Sequence, residues 1–299
     1  MISICIPVYN FDVTFLVSEL SEQIKALNED IELILIDDSS NVEYKEINRQ
    51  ISKDHTYIEL PENIGRSRIR NLFLKYSVFR YLLFLDCDCS VQSEGFLGKY
   101  LDIIKQNPSV VCGGSIYDTK SPGRDKMLRW KYGALRESKP CHIRNKFPNR
   151  SFMANNFLID RELFQKIRFD ERTHRYGYED VLFGYLLKKE NIIVNHIDNP
   201  VVNGGLQNNV EYLNSTREGI INLVDIMKAG YYDDDLINEI SLLRFYNKTV
   251  RFNKFINLLY KVLKPIIIYP LSRGYVNLYC FDFYKLGTFL ENLSKNTQK

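Results

Sequence analysis

The residues Tyr81–Val91 read YLLFLDCDCSV, a run of five apolar side chains that meets two carboxylates, Asp86 and Asp88, without transition. The run has the length of a fully buried strand. Two carboxylates this close repel each other and resist burial unless positive charge lies between them. A turn in water would hold them, and so would a cation, which would make this strand end a binding site. Cys87 and Cys89 flank Asp88, but one-residue spacing fits no common zinc pattern, and no CxxC occurs. A second acidic pair, Glu179-Asp180, opens an apolar helical pattern containing Leu182, Phe183, Leu186 and Leu187. Acids at a helix start are favoured by the macrodipole, so this pair reads first as a cap.

The elements that must position these residues alternate along the first half of the chain. ISICIPV is a short strand that stops at Pro7, and Thr14–Leu27 carries helical apolar spacing. IELILID is a second strand ending in Asp37-Asp38-Ser39-Ser40, and Asn41 is placed to cap a helix over Val42–Ile51. TYIEL, a helix from Gly65 to Tyr76, the strand YLLFLD, a helix over Gly95–Gln106 and the strand SVVCGG follow. SFMANNFLI, Ser151–Ile159, reads as a strand re-entering the core, and HIDNPVVNGGL as one more strand-and-turn unit. Strands alternating with helices of this length imply βαβ units, an α/β class and a mostly parallel sheet. In such a sheet ligands bind outside the carboxyl ends of the strands. Those ends carry PVYN, DDSS, PENIGRSRIRN and DCD, all suited to a nucleotide or a cation.

Composition bounds the function without choosing it. The 299 residues allow one large α/β domain or one domain with an appendage. A net charge of +3 is too small to argue for nucleic acid. The start lacks a cationic, apolar leader, so reduced thiols in the cytoplasm are the default expectation. Cys5, Cys112 and Cys280 read as small core residues. No uninterrupted apolar run reaches about 18 residues, so a spanning helix is not expected. Thr119–Arg150 is rich in Lys and Arg and holds the sole tryptophan, Trp130. It reads equally as a solvated loop or as a mobile basic flap that meets phosphates. The tail from Val210 is mostly helical and, from Arg251, basic. It reads as a helix pair packed on the rest, or as a surface lying on an anionic membrane. Pro265 and Pro270, which spoil a long amphipathic helix, favour the packed pair.

The set PVYN, DDSS, NIGRSRIRN, FLDCD, NNFLI and YGYEDVLFGYLL, in this order and spacing, resembles glycosyltransferase family 2. DxD by itself is common, and the specificity lies in the ordered set. The resemblance implies the GT-A fold, a Rossmann-like mixed sheet flanked by helices. It implies a catalytic domain over 1–210, divided into a nucleotide-binding half (1–115) and an acceptor-side half (116–210). Residues 211–299 would form a helical C-terminal extension.

The resemblance also implies roles. Pro7, Tyr9 and Asn10 would lie by the donor base, with Tyr9 stacking on it and Asp37 hydrogen-bonded to a pyrimidine nitrogen. Asp38 would join the nucleotide-sugar site or only shape the turn. Asn63, Gly65 and Arg70 would belong to the nucleotide site, with Arg70 reaching the nucleotide, and Asn155 and Asn156 would join the donor site. Asp86 would face the ribose and metal region, and Asp88 would ligate Mn²⁺ or Mg²⁺ on the donor diphosphate. Asp180 would be the general base of an inverting transfer, with Glu179 beside it. The family pattern often has a histidine as a further metal ligand where this chain has Asn203, a neutral and weaker one. The partners implied are a nucleotide-sugar, UDP-sugar first with GDP and dTDP open, and a hydroxyl of a glycan or lipid-linked acceptor. No nucleic acid is expected. The implied place is the cytoplasm, with peripheral contact at the inner membrane face as an addition. A nucleotidyltransferase would want a Gly-rich phosphate loop after the first strand, and PVYNFDVTF supplies none. A non-catalytic nucleotide-sugar binder is the alternative that Asn203 raises and Asp180 opposes.

Overall fold

The structure is a computed structural model and describes residues 1–172, 177–230, 233 and 235–295. The chain forms two compact units. The first comprises Met1–Asp118, Ser138–Arg172 and Leu182–Gly205, and the second Thr119–Glu137, Thr173–Val181 and Leu206–Lys299.

The first unit is built on ten strands: β1 (Ile2–Val8), β2 (Ile31–Asp37), β3 (Thr56–Glu59), β4 (Tyr81–Leu85), β5 (Cys89–Ser90), β6 (Val110–Cys112), β7 (Ser115–Tyr117), β8 (Asn156–Asp160), β9 (Asn195–His196) and β10 (Val201–Asn203). Seven pair in the order β3-β2-β1-β4-β8-β6-β9, and β5-β10-β7 form a small second sheet. In the large sheet only β8 runs against its neighbours, β4 and β6. Its amino end therefore lies at the edge where β1, β2 and β4 end.

Side-chain alternation sorts the strands between two cores, as a sheet covered on both faces requires. Ile4, Ile6, Leu33, Leu83 and Leu158 pack with helices Thr14–Leu27 and Phe96–Ile104. Ile34, Phe84 and Phe157 pack with helices Arg66–Tyr76, Arg161–Lys166 and Glu179–Lys189. Phe84 and Phe157 stack across β4 and β8 with centroids 4.8 Å apart.

The strand β1 continues through Pro7 to Val8. Asp38 donates its backbone N–H to the Val8 carbonyl, so Val8 faces β2 and Pro7 faces the β4 side. The β4 ladder has already ended at Cys5, so the missing proline N–H costs no bond there. Three expectations are corrected. SFMANNFLI becomes strand only from Asn156. Asn41 takes the N-cap position without a side-chain capping bond. Cys280 is exposed rather than a core residue.

The second unit is helical. Helices Met127–Tyr132, Asn209–Ala229, Asn253–Ser272 and Leu278–Lys295 enclose a core of Leu128, Leu213, Tyr260, Leu271, Phe281 and Tyr284. Asn208 and Glu211 form a reciprocal capping box at the start of the second of these helices. From Arg124 to Glu137 the basic stretch is a set of short helices, and only 119–123 is irregular. Lys131 donates to the Val276 carbonyl (3.1 Å), and Arg129 pairs with Glu137 (2.7 Å).

Arg144, from the other part of the basic stretch, is buried within the first unit. Its guanidinium donates to the carbonyls of Cys112, Gly113 and Ile197 and to His196 Nδ1 (2.8 Å). His196 Nε2 then donates to the Pro148 carbonyl (2.8 Å). Burial, reinforced by the Arg144 charge, lowers the His196 pKa to about 4 against the Pro148 bond that would raise it.

The unfolded chain protonates His196 below about 6.5, whereas the folded chain does so only near 4. The neutral form stabilises the fold fully above that upper value, and the stability is lost as pH falls between the two. Between pH 6.5 and 5 the loss amounts to roughly 2 kcal/mol. Urea unfolding should show this slope in the parent and a smaller one in His196→Gln. Equal slopes would remove His196 as the cause.

Candidate active site

The ends of β1 and β2 are clipped to each other by short polar bonds. Asn10 has φ +48° and Ser39 +63°, both in the left-handed region that asparagine tolerates better than serine. The Asn10 N–H donates to Ser40 Oγ (2.8 Å), and its Oδ1 accepts from the Asn41 N–H (2.8 Å). Asp37 is fully buried; its Oδ1 accepts from the Ser40 N–H (2.7 Å) and its Oδ2 from the Tyr57 hydroxyl (3.2 Å). Asp37 thus fixes the turn and presents no surface to a ligand here, which departs from the base contact expected of it. Tyr9, just beyond the end of β1 and two residues after half-buried Pro7, is 52% exposed.

Asp38 does shape a turn. Its carboxylate accepts the N–H groups of Ile64 (2.7 Å) and Gly65 (3.1 Å), and its carbonyl accepts from Asn63 Nδ2 (3.2 Å). Burial raises its pKa against the lowering effect of those two N–H bonds. Gly65 has φ +81° with open space around a Cβ, so conformation, not crowding, calls for glycine.

Beyond Gly65 begins the helix Arg66–Tyr76, which carries the positive charge that the strand end at Asp86 needs. Arg70 is 2% exposed, and its guanidinium donates to Asp86 Oδ1 (2.6 Å). Arg66, one turn earlier, donates to Asp86 Oδ2 (3.3 Å). The Arg70 guanidinium also lies over the Phe169 ring, 5.5 Å from its centroid. In this structure the Arg70 guanidinium faces Asp86 rather than the open edge where a nucleotide was expected.

Asp86, Cys87 and Asp88 form a turn, with the Cys89 N–H donating to the Asp86 carbonyl (3.3 Å). Both cysteines pack into the first core, and burial pushes the Cys87 thiol up to about 12 and the Cys89 thiol well above its ordinary value.

Asp88 is held by the strand that follows. Its carbonyl accepts from the N–H groups of Gly204 (2.8 Å) and Gly205 (3.2 Å). A Cβ on Gly205 would lie 2.5 Å from Asp88 Oδ2, so glycine leaves room for that carboxylate. Cys89 pairs with Asn203 across β5 and β10, which brings Asn203 beside Asp88. Asn203 Oδ1 accepts from Asn155 Nδ2 (3.2 Å), and its own Nδ2 donates to Ser115 Oγ (3.2 Å). Asn155 Oδ1 is buried and has no hydrogen-bond partner among the described residues. No group of three His, Cys, Asp or Glu that could hold a metal occurs among the described residues. One carboxylate with an orphaned amide oxygen and a second amide beside it fits a hard cation that brings further oxygen ligands of its own.

Asn156 is different. It is fully buried, accepts from the Tyr100 hydroxyl (2.6 Å) and donates to the carbonyls of Gly114 and Asn199 (2.8 Å each). In this structure it braces the sheet edge through these internal bonds.

Glu179 and Asp180 belong to the second unit with the turn that aims them. Gly177 has φ +97° and Tyr178 +72°, a strained pair for which only the first residue is suited. A Cβ on Gly177 would lie 3.1 Å from the Gly219 Cα, and Asn222 Nδ2 donates to the Gly177 carbonyl (2.8 Å). Glu179 Oε2 accepts from the Gly177 N–H (3.1 Å), and Asp180 Oδ1 from the Val181 N–H (2.8 Å). The cap expected of this pair is present, held against the helix Asn209–Ala229.

The sequence reading missed Arg66, Tyr57 and Gly205. Arg66 and Arg70 stand four apart in one helix, which is the signal that both can serve one carboxylate. Tyr57 and Gly205 carry no such signal, because their partners lie far along the chain.

A sequence model of the family described as "Glycosyl transferase family 2" matches residues 3–182. A comparison with curated protein sequences finds no match. Among solved structures, the chain is similar to the mannosyltransferase PcManGT from Pyrobaculum calidifontis, in complex with GDP-Man and Mn²⁺. That likeness has a TM-score of 0.56 and 13% identity, over 99% of this chain and 86% of the other. It is similar to S. aureus TarS 1-349, with a TM-score of 0.50 and 15% identity over 99% and 91%. It is also similar to glucosyl-3-phosphoglycerate synthase from Mycobacterium tuberculosis, in complex with Mn²⁺, UDP and glucosyl-3-phosphoglycerate, with a TM-score of 0.51 and 18% identity over 78% and 81%. The mixed sheet is that of the GT-A fold.

Removing one partner of a buried ion pair leaves the other charge uncompensated. Arg70→Ala should destabilise the fold by roughly 2–4 kcal/mol, and Arg66→Ala, on a partly exposed pair, by less than about 1 kcal/mol. Denaturant midpoints measure both, and equal losses would contradict the assignment of Arg70 as the principal partner.

Proposed function

Because the chain belongs to glycosyl transferase family 2, we propose that it moves a sugar, with inversion, from a nucleoside-diphosphate donor to a hydroxyl of a glycan or lipid-linked acceptor. The observation that carries this reading is the cluster of Asp88, Asn203 and the orphaned Asn155 Oδ1 at the carboxyl edge of the sheet. The neighbours of known structure were solved with GDP-Man and Mn²⁺, with UDP and Mn²⁺, and with UDP-GlcNAc, which supports a nucleotide-sugar donor. UDP is the donor nucleotide of choice, with a hexosyl or N-acetylhexosaminyl group transferred.

In this reading Tyr9 stacks on the base, and Asp37 and Asp38 act behind it by fixing the turns that carry Asn10 and Gly65. Asp88 would hold Mn²⁺ or Mg²⁺ with the amide oxygens of Asn155 and Asn203, and the donor diphosphate would complete the shell. When bound, the ion offsets charge on the departing diphosphate. Asp86 stays with Arg70 and Arg66 and keeps the turn in place. Asp180 takes the proton of the acceptor hydroxyl as its oxygen bonds to the anomeric carbon. The bond from that carbon to the diphosphate oxygen breaks on the opposite face, and the nucleoside diphosphate leaves with the bonding pair.

A non-catalytic nucleotide-sugar binder is the second reading, favoured by the neutral Asn203 in place of a stronger ligand. Titration calorimetry of UDP with and without Mn²⁺ tests the donor site. Binding should need Mn²⁺ and weaken at least about tenfold in Asp88→Ala, the loss of one charged ligand. Binding indifferent to both would overturn the metal assignment. Hydrolysis or transfer of UDP-sugars tests the base: Asp180→Asn should lose roughly 10²- to 10⁴-fold in kcat and keep UDP affinity. An unchanged kcat would dismiss Asp180, and a parent with UDP affinity but no turnover on any acceptor would support the second reading.

A further inference from the structure

One apolar surface of the second unit takes no part in the chemistry above. Phe252, Phe255, Leu258, Val262, Ile266 and Tyr269 recur every three or four residues and lie on one side of the helix Asn253–Ser272 and its entry. Each is between 63% and 66% exposed. Six large side chains in one exposed stripe exceed the scatter of single apolar residues that a surface normally carries.

The opposite side of the same helix is occupied. Tyr260, Ile267 and Leu271 are buried in the unit's core. The Tyr260 hydroxyl is hydrogen-bonded to Thr288 (2.9 Å), and Lys264 pairs with Glu291 (2.7 Å). The helix has no acidic residue, and exposed Lys254 and Lys261 run along one flank of the stripe, with Arg251 and Arg273 at its ends. The only acids between Arg251 and Ser294 are turned to cations of the unit, Glu291 to Lys264 and Asp282 to Arg136 and Lys285.

We propose that this face of the helix Asn253–Ser272 lies in the interface of an anionic lipid bilayer, with Phe255, Val262 and Ile266 among the acyl chains and Lys254 and Lys261 at the headgroups. An apolar stripe flanked by lysine and ended by aromatic rings is the pattern of a helix lying in the membrane plane. Charge complementarity selects lipid over a second copy of the chain, whose identical lysines would face each other. By length and composition Val250–Ser272 is also long and apolar enough to cross a membrane, which the interrupted sequence did not lead one to expect. Crossing would strip the bonds of Tyr260 and Lys264 from the core, so the helix lies on the bilayer and does not span it. The inference stands apart from the transfer reaction and does not depend on it.

Sedimentation of the full chain with phosphatidylcholine vesicles, with and without phosphatidylglycerol, tests it. The parent should pellet with the phosphatidylglycerol vesicles. Val262→Ser with Ile266→Ser should cut the partition coefficient by more than about tenfold while leaving the unfolding midpoint unchanged, because both side chains are exposed. Lys254→Ala with Lys261→Ala should lower binding severalfold on the anionic vesicles only. A parent that stays in solution, or a serine variant that binds like the parent, overturns the proposal. A parent that is dimeric until the serine substitutions are made, with vesicle binding unaltered, makes the face a self-interface. Resistance of bound parent to alkaline carbonate would mark a spanning helix and equally contradict it.

Discussion

The Asp86–Arg70 ion pair is the constraint on which the strand edge depends. A fully apolar strand delivers two carboxylates to the same turn, and one of them must be compensated before the turn can stay folded. Arg70 does this from inside the protein at 2.6 Å, with Arg66 adding a weaker bond at 3.3 Å. The helix that carries both arginines begins at Gly65, whose N–H is held by Asp38, and Asp38 in turn follows β2. The acid at the end of one strand thus positions the cation that neutralises the acid at the end of another.

That arrangement separates two carboxylates that look alike in the sequence. Asp86 is a member of the framework, while Asp88 lies over Gly205 beside two amides whose oxygens are not all satisfied. The antiparallel β8 contributes to this because it brings Asn155 to the edge by its amino end. A parallel strand would have brought its carboxyl end there instead. The small sheet pairs Asn203 with Cys89, so a three-residue strand brings that amide to the residue next to Asp88.

The order of strands and helices was legible in the sequence because apolar periodicity and strand ends are local signals. Helices Thr14–Leu27, Val42–Ile51 and Arg66–Tyr76 lie where the pattern put them. What resisted reading was which polar residue serves the framework. Asn155 and Asn156 are adjacent, yet one has an orphaned oxygen and the other braces Tyr100, Gly114 and Asn199. Arg144 looked like part of a basic surface and is a buried clasp on four carbonyls and a histidine. These distinctions rest on contacts between residues distant in sequence, for which no local pattern exists. Pro265 and Pro270 do not interrupt the helix Asn253–Ser272, which continues through both while packing on the helix Leu278–Lys295, the paired arrangement the prolines favoured.

The division of labour between the two carboxylates is the central claim, and a crystal grown with UDP and Mn²⁺ tests it most directly. Anomalous scattering at the manganese edge should place the ion against Asp88, with Asp86 still bonded to Arg70. A peak bridging Asp86 and Asp88, with Asp86 drawn off Arg70, would contradict it.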